Sequence, residues 1–207
     1  MAGSWGTLGV ITEVSFKVLP IAETQSTLKI NFCDANILNK AINTPYDVSG
    51  TFYDVGSRVS YIRVEGFDKS VKYRIKQLLG EFSDFEVDIL EMEESKKFWQ
   101  NVSNLDFLKN IKGDLWRVSV RPTDGVKIIQ MLNPKVGFLD WCGGLVWLRV
   151  DEGFDVREKM QKVAGHAMCL LGKFEQFHPI STAEKTLSNS IRKKFDPKML
   201  LNRELLN

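Results

Sequence analysis

An α+β fold is predicted for this chain, built from two ferredoxin-like βαββαβ units that form a broad antiparallel sheet with helices packed on it. Three observations predict it. Strand-like and helix-like segments follow one another in the order β-α-β-β-α-β, and that order occurs twice between residues 27 and 177. Corresponding strands in the two passes are offset by about ninety residues, the mark of a doubled supersecondary unit. The segments end on cap or turn chemistry, chiefly Asp, Gly and Asn-Pro. The two passes share no residue-level identity, so the repeat is one of architecture.

In the first pass, residues 27–32 are a short strand. Asp34 is placed as the N-cap of a helix that brings Ile37, Leu38, Ala41 and Ile42 to one face, and Thr44-Pro45 ends it. Residues 50–55 and 58–65 are strands around a Gly56-Ser57 turn. Asp68 caps a helix through Leu79 with Gly80 as its stop signal, and residues 85–90 are a strand with Phe85, Val87 and Ile89 on one face. Between the passes, residues 91–110 begin polar (Glu91, Glu93, Glu94) and then carry Phe98, Trp99, Val102, Leu105, Phe107 and Leu108, which suits a helix lying over the sheet. In the second pass, residues 114–120 are a strand, and Thr123 or Asp124 caps a helix through Met131 that Asn133-Pro134 breaks. Residues 136–141 and 145–150 are strands joined through Gly143-Gly144. A stripe of Val156, Met160, Val163, Ala167 and Leu170-Leu171 predicts a long helix over 154–171, with 173–177 as the closing strand. Ser181 or Thr182, with Glu184 close behind, opens a last helix in the manner of a capping box.

Bulk properties exclude several function classes. The 207 residues carry 43% hydrophobic and 26% charged side chains, ordinary for a globular protein with a sizeable core. A net charge of +2, with both signs interspersed, makes no electrostatic case for nucleic acid. Arg192-Lys193-Lys194, the densest basic run, reads as the solvated end of a helix. Cys33, Cys142 and Cys169 are an odd number with no C-x-x-C pair, which argues against a disulfide framework or a zinc site and suits a reducing cytoplasm. No apolar run reaches the roughly 20 residues of a membrane span, and the opening residues, without a basic region followed by an apolar core, are not expected to act as a secretory signal.

Few constellations point to chemistry. Gly3, Gly6 and Gly9 allow positive φ and lack a Cβ, so the nearby amides can approach ligand oxygens; a tight turn before a strand is the plainer alternative. These glycines precede a strand, so they are not the dinucleotide fingerprint, which follows one. Ser4 has no base beside it, and G-S-W-G is not a nucleophile elbow. Arg117, Ser119 and Arg121 share one strand face, as do Trp147 and Arg149; together with Trp116 and Trp141 they suit either a bidentate clamp on a small carboxylate or ion pairs on an exposed sheet. His166, placed in an apolar helix, and His178, before Pro179, lack partners at ligand spacing and read as structural.

Two strings carry a family resemblance. Gly3-Ser4-Trp5-Gly6-Thr7-Leu8-Gly9-Val10-Ile11-Thr12-Glu13 resembles the GS-x-GTLG-[IV]-[IV]-T-[ED] segment that closes the FAD site in FAD-linked oxidases of the vanillyl-alcohol oxidase type. Phe195-Asp196-Pro197, followed by Leu200, Leu201 and Asn202, resembles the family's F-D-P-x-G-[IL]-[LF]-N-P-G ending; it departs at Met199, where glycine is usual, and at Arg203-Glu204, where Pro-Gly is usual. Within the family the chain looks most like the FAD-binding subunits of bacterial glycolate oxidases, and it lacks the H-x-G-D-G-N-x-H metal motif of the catalytic subunits.

The resemblance implies that residues 1–20 end an FAD-binding domain, 21–180 form the cap domain, and 181–207 form a C-terminal helix and tail returning toward the flavin domain. It implies FAD as cofactor, touched by Gly3, Ser4, Gly6, Thr7, Gly9, Val10 and Ile11 mostly through their backbone, and hydride transfer from a 2-hydroxy acid such as glycolate to the flavin. It assigns no catalytic residue and no metal. The implied partners are a catalytic flavoprotein subunit and an iron–sulfur subunit, in the cytoplasm and peripheral to the inner membrane through those partners. Without the pyrophosphate-binding loops of a flavin domain, the isolated chain is expected to be inactive and to hold FAD weakly or not at all. Two other readings stand beside this one: a non-catalytic module that packs on a homologous subunit, and a ligand sensor with a pocket between the two sheet units.

Overall fold

Eight strands pair into one antiparallel sheet in the computed structural model, which describes residues 1–32, 34–203 and 205. The strands and helices run β1 (Thr24–Ile30), α1 (Asn36–Ile42), β2 (Gly50–Asp54), β3 (Val59–Gly66), α2 (Asp68–Glu81), β4 (Val87–Leu90), α3 (Met92–Ser103), β5 (Asp114–Val120), α4 (Gly125–Leu132), β6 (Val136–Asp140), β7 (Leu145–Val150), α5 (Val156–Lys159), β8 (Gly165–Leu171) and α6 (Thr182–Phe195). The sheet order is β4-β1-β3-β2-β6-β7-β5-β8, so each half shows the same arrangement from its outer edge to the centre. The halves meet where β2 pairs β6, with Phe52 opposite Asp140, Tyr53 opposite Leu139 and Asp54 opposite Phe138. The mixed α+β class and the single broad sheet are as predicted.

Period-two alternation decides the two faces. Leu28, Ile30, Ile62, Val64, Trp116, Val118, Val146 and Leu148 point to one face, where they are buried with residues of α1, α2, α4 and α5. The other face holds an aromatic cluster: Phe52 packs at 4.8 Å from Phe138 across the central seam, 5.1 Å from Phe107 and 5.4 Å from Phe98. α3 covers this face as predicted for 91–110. Its hold on β1 is partly polar: Trp99 Nε1 donates to Thr27 Oγ1 at 2.9 Å, and Thr27 and Ser95 hydroxyls bond at 2.7 Å.

Several expectations are corrected. The long helix over 154–171 is a single turn, α5, followed by strand β8; residues 173–177 form no strand. β8 pairs along β5, placing Ala167 opposite Val118 and Cys169 opposite Trp116, so pairing overrides the helical spacing of the stripe. His166 therefore sits exposed on a strand, not in a helix. Gly80 lies inside α2, which runs to Glu81 and ends as Phe82 enters the core. Asp68 is the first helical residue rather than a cap: its carboxylate pairs with Lys72, and its N–H donates to Glu23 at 3.2 Å. Ala35 holds the N-cap position of α1, and Asp34 instead accepts from Asn36 N at 2.7 Å. Ile42, Phe85 and Ile89 stay exposed. Of the three cysteines, Cys142 and Cys169 are free thiols, and Cys33 lies outside the described residues. Among the described residues no helix is long and apolar enough to cross a membrane.

The chain forms two compact units: Ile21–Gln176 holds the sheet, and Met1–Pro20 with Phe177–Asn207 forms the other. In the second, α6 opens on a true capping box, with Ser181 Oγ accepting from Glu184 N and Glu184 accepting from Ser181 N.

Candidate functional site

Chemistry-bearing residues gather in two places, one in each unit. In the unit of the two termini, the glycine-rich opening is a series of tight turns. Gly3 and Gly6 have φ of +78° and +71°, and Trp5 adopts +53°. Ser4 Oγ donates to the Met1 carbonyl at 2.7 Å and Thr7 Oγ1 to the Ser4 carbonyl at 2.6 Å, so both hydroxyls serve the turn itself. The C-terminal tail closes on this loop: Asn202 Nδ2 donates to the Trp5 carbonyl at 2.6 Å, and Trp5 meets Phe177 edge-on at 5.1 Å. The φ of +71° favours glycine at Gly6, and a Cβ there would lie 2.9 Å from Asn202 Nδ2 and displace that side chain. A cleft of about 390 Å³ results, lined by Ser4, Gly6, Gly9, Val10 and Ile11 from the opening and Leu201 and Asn202 from the tail. Gly3 and Thr7 do not line it, and Thr7 is buried.

The tail is shaped from within. Asp196 is buried and its carboxylate accepts from Leu201 N at 2.8 Å. Arg192, predicted to be solvated, is instead 3% exposed and donates to the carbonyls of Leu201 at 2.7 Å, Asn202 at 3.1 Å and Leu205 at 3.2 Å. Met199 adopts φ +52°, the left-handed conformation that explains why glycine is usual at this position of the family ending.

The second constellation lies in the sheet unit, where its halves join. A cleft of about 310 Å³ is lined by Ser49, Gly50, Thr51 and Arg63 from the first half, Trp99 and Ser103 from α3, and Asp140, Trp141 and Cys142 from the second half. Arg63 is fixed from two sides: Nε donates to Ser49 Oγ at 3.1 Å, Nη2 to the Ser49 carbonyl at 3.2 Å, and the guanidinium lies 4.9 Å over the Trp99 ring. Asp140 Oδ1 accepts from Trp141 N at 2.7 Å. Burial pushes the Asp140 carboxyl above the usual carboxylate range, against the opposing pull of the Trp141 N–H and of Arg63. Trp141, Cys142 and Gly143 have φ of +49°, +58° and +94°, a strained run pinned by a bond from Cys142 N to Thr51 Oγ1 at 2.9 Å.

That turn holds the Trp141 indole outward, 62% exposed, above Arg117, whose guanidinium lies 5.6 Å from the Trp141 ring and 5.8 Å from the Trp147 ring. The predicted sheet-face cluster thus divides. Arg117 joins Trp141 and Trp147, whereas Arg149 is buried and structural, donating to the carbonyls of Leu108 at 3.2 Å and Gly113 at 2.8 Å. Trp116 is buried on the opposite face, under Arg157. Arg63 and Asp140 escaped sequence reasoning. Their one local signal is a charge at a strand position that alternation assigns to the same face as Tyr61 or Phe138.

No family model matches the chain. It is 29% identical over 203 residues to the glycolate oxidase subunit GlcE of Escherichia coli (strain K12), an alignment that covers 95% of this chain and 53% of that protein. The chain therefore spans about half the length of the curated relative it matches. This likeness extends the resemblance of the two end strings through nearly the whole chain, and it is consistent with the C-terminal part of a GlcE-like FAD-linked oxidase.

Proposed function

We propose that this chain is the C-terminal portion of an FAD-dependent 2-hydroxy-acid (glycolate) oxidase or dehydrogenase subunit. The observation that carries the reading is the joining of the two family strings: Asn202 of the FDP-type ending closes on Trp5 inside the GSWGTLG turn, at 2.6 Å. On this reading residues 1–20 end the FAD-binding domain, 21–180 are the cap, and 181–207 return toward the flavin. Amides of the left-handed Gly3 and Gly6 turns and the side chains of Val10 and Ile11 would border the FAD, while the missing Cβ at Gly6 leaves room for the tail clasp. When bound, FAD supplies the acceptor for the hydride leaving the substrate α-carbon. The chain's own part is to shape that border and to offer fixed guanidinium groups to a carboxylate. A catalytic flavoprotein subunit and an iron–sulfur subunit would complete the complex, in the cytoplasm.

The segment after the turn supports the same reading. Glu13, Ser15 and Lys17 alternate with Val14, Phe16 and Val18, which are 58%, 77% and 78% exposed. That is the pattern of a strand with one face destined for burial. A flavin domain supplied by the other half of a GlcE-like subunit would cover it. Co-expression with that half tests the proposal: a co-purifying complex with near-stoichiometric flavin absorbance is expected, and a stable complex without flavin would leave the non-catalytic interaction module in its place.

A further inference from the structure

The cleft between the two halves of the sheet has the makings of a small-molecule site independent of the flavin. We propose that it binds a small carboxylic acid carrying a hydrogen-bonding group on its α-carbon, with the carboxylate on Arg63 and the α-substituent on Asp140. The cleft lies wholly within Ile21–Gln176. Its volume of about 310 Å³ stands at the low end for small-molecule pockets, roughly 300–1,000 Å³, and so suits a compact guest.

Three features select the guest. First, Arg63 is already ordered by Ser49, by Trp99 and by the Glu65 carboxylate 3.6 Å from Nη2, yet its hydrogen bonds to Ser49 use only Nε and Nη2 of its five-donor fork. Little side-chain entropy remains to be lost when a carboxylate docks on it. Second, Asp140 faces the same cleft, and among the described residues no ion pair within 4.0 Å joins it to Arg63. Its Oδ1 serves the Trp141 N–H, leaving Oδ2 to accept from a hydroxyl or an ammonium. Arg63 and Asp140 thus face one space without pairing with each other, the ion pair of Arg63 being with Glu65, which matches a ligand with an anionic end and a donor one atom away. Third, the indoles of Trp99 and Trp141 and the side chain of Val102 wall the space and give the guest's carbon an apolar surface to rest on. The strained 141–143 turn, anchored on Thr51 of the first half, holds Asp140 and Trp141 to this task.

A 2-hydroxy acid and a 2-amino acid share this chemistry, and choosing the hydroxy acid as the natural guest rests on the functional reading above. Tryptophan fluorescence of the full chain, titrated with sodium glycolate, glycine, sodium acetate and ethylene glycol, tests the site without any flavin. A saturable response to glycolate or glycine is expected, about tenfold weaker for acetate and absent for ethylene glycol. Asp140→Asn should keep glycolate and lose glycine. Arg63→Gln should abolish both, and Ser103→Trp, at an exposed position on the cleft rim, should abolish both while leaving Arg63 and the fold intact. The proposal falls if neither acid gives a saturable response, if ethylene glycol matches them, if Ser103→Trp leaves binding unchanged, or if Arg117→Gln on the far side of Trp141 removes binding while Arg63→Gln does not. Flavin capture by the complementing half is read in a different experiment, so each proposal can fail alone.

Discussion

Replacing Phe52 by alanine asks most directly whether the two halves form one cooperative sheet. Phe52 is 1% exposed on β2, opposite Asp140 of β6, and its ring touches the rings of Tyr61, Phe98, Phe107 and Phe138 at 4.8–5.8 Å. Two of those rings belong to β3 and β6, one on each side of the seam, and two to the segment that crosses it. Truncation removes a buried ring and leaves a cavity whose walls are rigid aromatic planes on a sheet, so collapse is poor. The cost should sit in the middle of the range for such changes, about 4 kcal/mol. In a chain of this size that corresponds to a fall in Tm of about 8–16 °C. Phe52→Leu, which keeps most of the volume, should cost about 1 kcal/mol. Urea unfolding followed by circular dichroism measures both, and hydrogen exchange locates the effect. Shared burial requires amides of β1 and β3 and amides of β5 and β7 to lose protection together. A loss confined to one half, or a penalty for alanine near 1 kcal/mol, would refute the joint core.

Three further outcomes follow from single positions. Gly125→Ala should destabilise by about 3 kcal/mol despite opening a helix, because its Cβ would lie 2.0 Å from the Gly143 carbonyl oxygen; thermal melts give the loss, and the displaced 141–143 turn should shift Trp141 emission. Met199→Gly should stabilise the tail by about 1 kcal/mol, since methionine there is held at φ +52°; slower exchange of the Leu201 amide, by about fivefold, is the readout. Asp140→Asn should stabilise the fold near neutral pH and not in acid. The folded carboxyl titrates above its unfolded value, so wild-type stability is fully present below the unfolded value and declines as pH rises through the folded one. Asparagine keeps the acceptor for Trp141 N and cannot ionise, so melts at pH 7 and below pH 4 should differ for the pair only at pH 7.

Elements whose signals are local were legible in the sequence. β5 shows its alternation within seven residues, and α6 shows its capping box in four. The failure at 154–171 has a definite cause. Val156, Met160, Val163 and Ala167 satisfy helical spacing, yet from Gly165 onward the chain completes a pairing with β5, and the contact that fixes this is remote. A Cβ on Gly165 would stand 2.5 Å from the Ser119 carbonyl oxygen, so that glycine exists for the neighbouring strand, which no window on the local sequence contains. The candidate sites divide by the same rule. The glycine-rich opening is contiguous and could be recognised as a string, whereas Arg63 and Asp140 come from different halves and meet only because β2 pairs β6. Arg192 misled for a related reason: its basic neighbours suggest solvent, but the tail folds back and presents three carbonyls to it.

This division separates what each unit can offer a ligand. In the opening, the hydroxyls of Ser4 and Thr7 are bonded to backbone carbonyls three residues back, and the glycine turns leave backbone groups as the main polar surface. Backbone amides recognise phosphates and carbonyl oxygens without regard to side chain, which suits a cofactor common to many substrates. The charged, aromatic-walled cleft lies instead in the unit Ile21–Gln176, where side chains rather than backbone groups would discriminate among acids. The opening string therefore supports the flavin reading proposed above, and discrimination among small acids is to be sought in Arg63, Asp140 and the strained turn between them and Arg117.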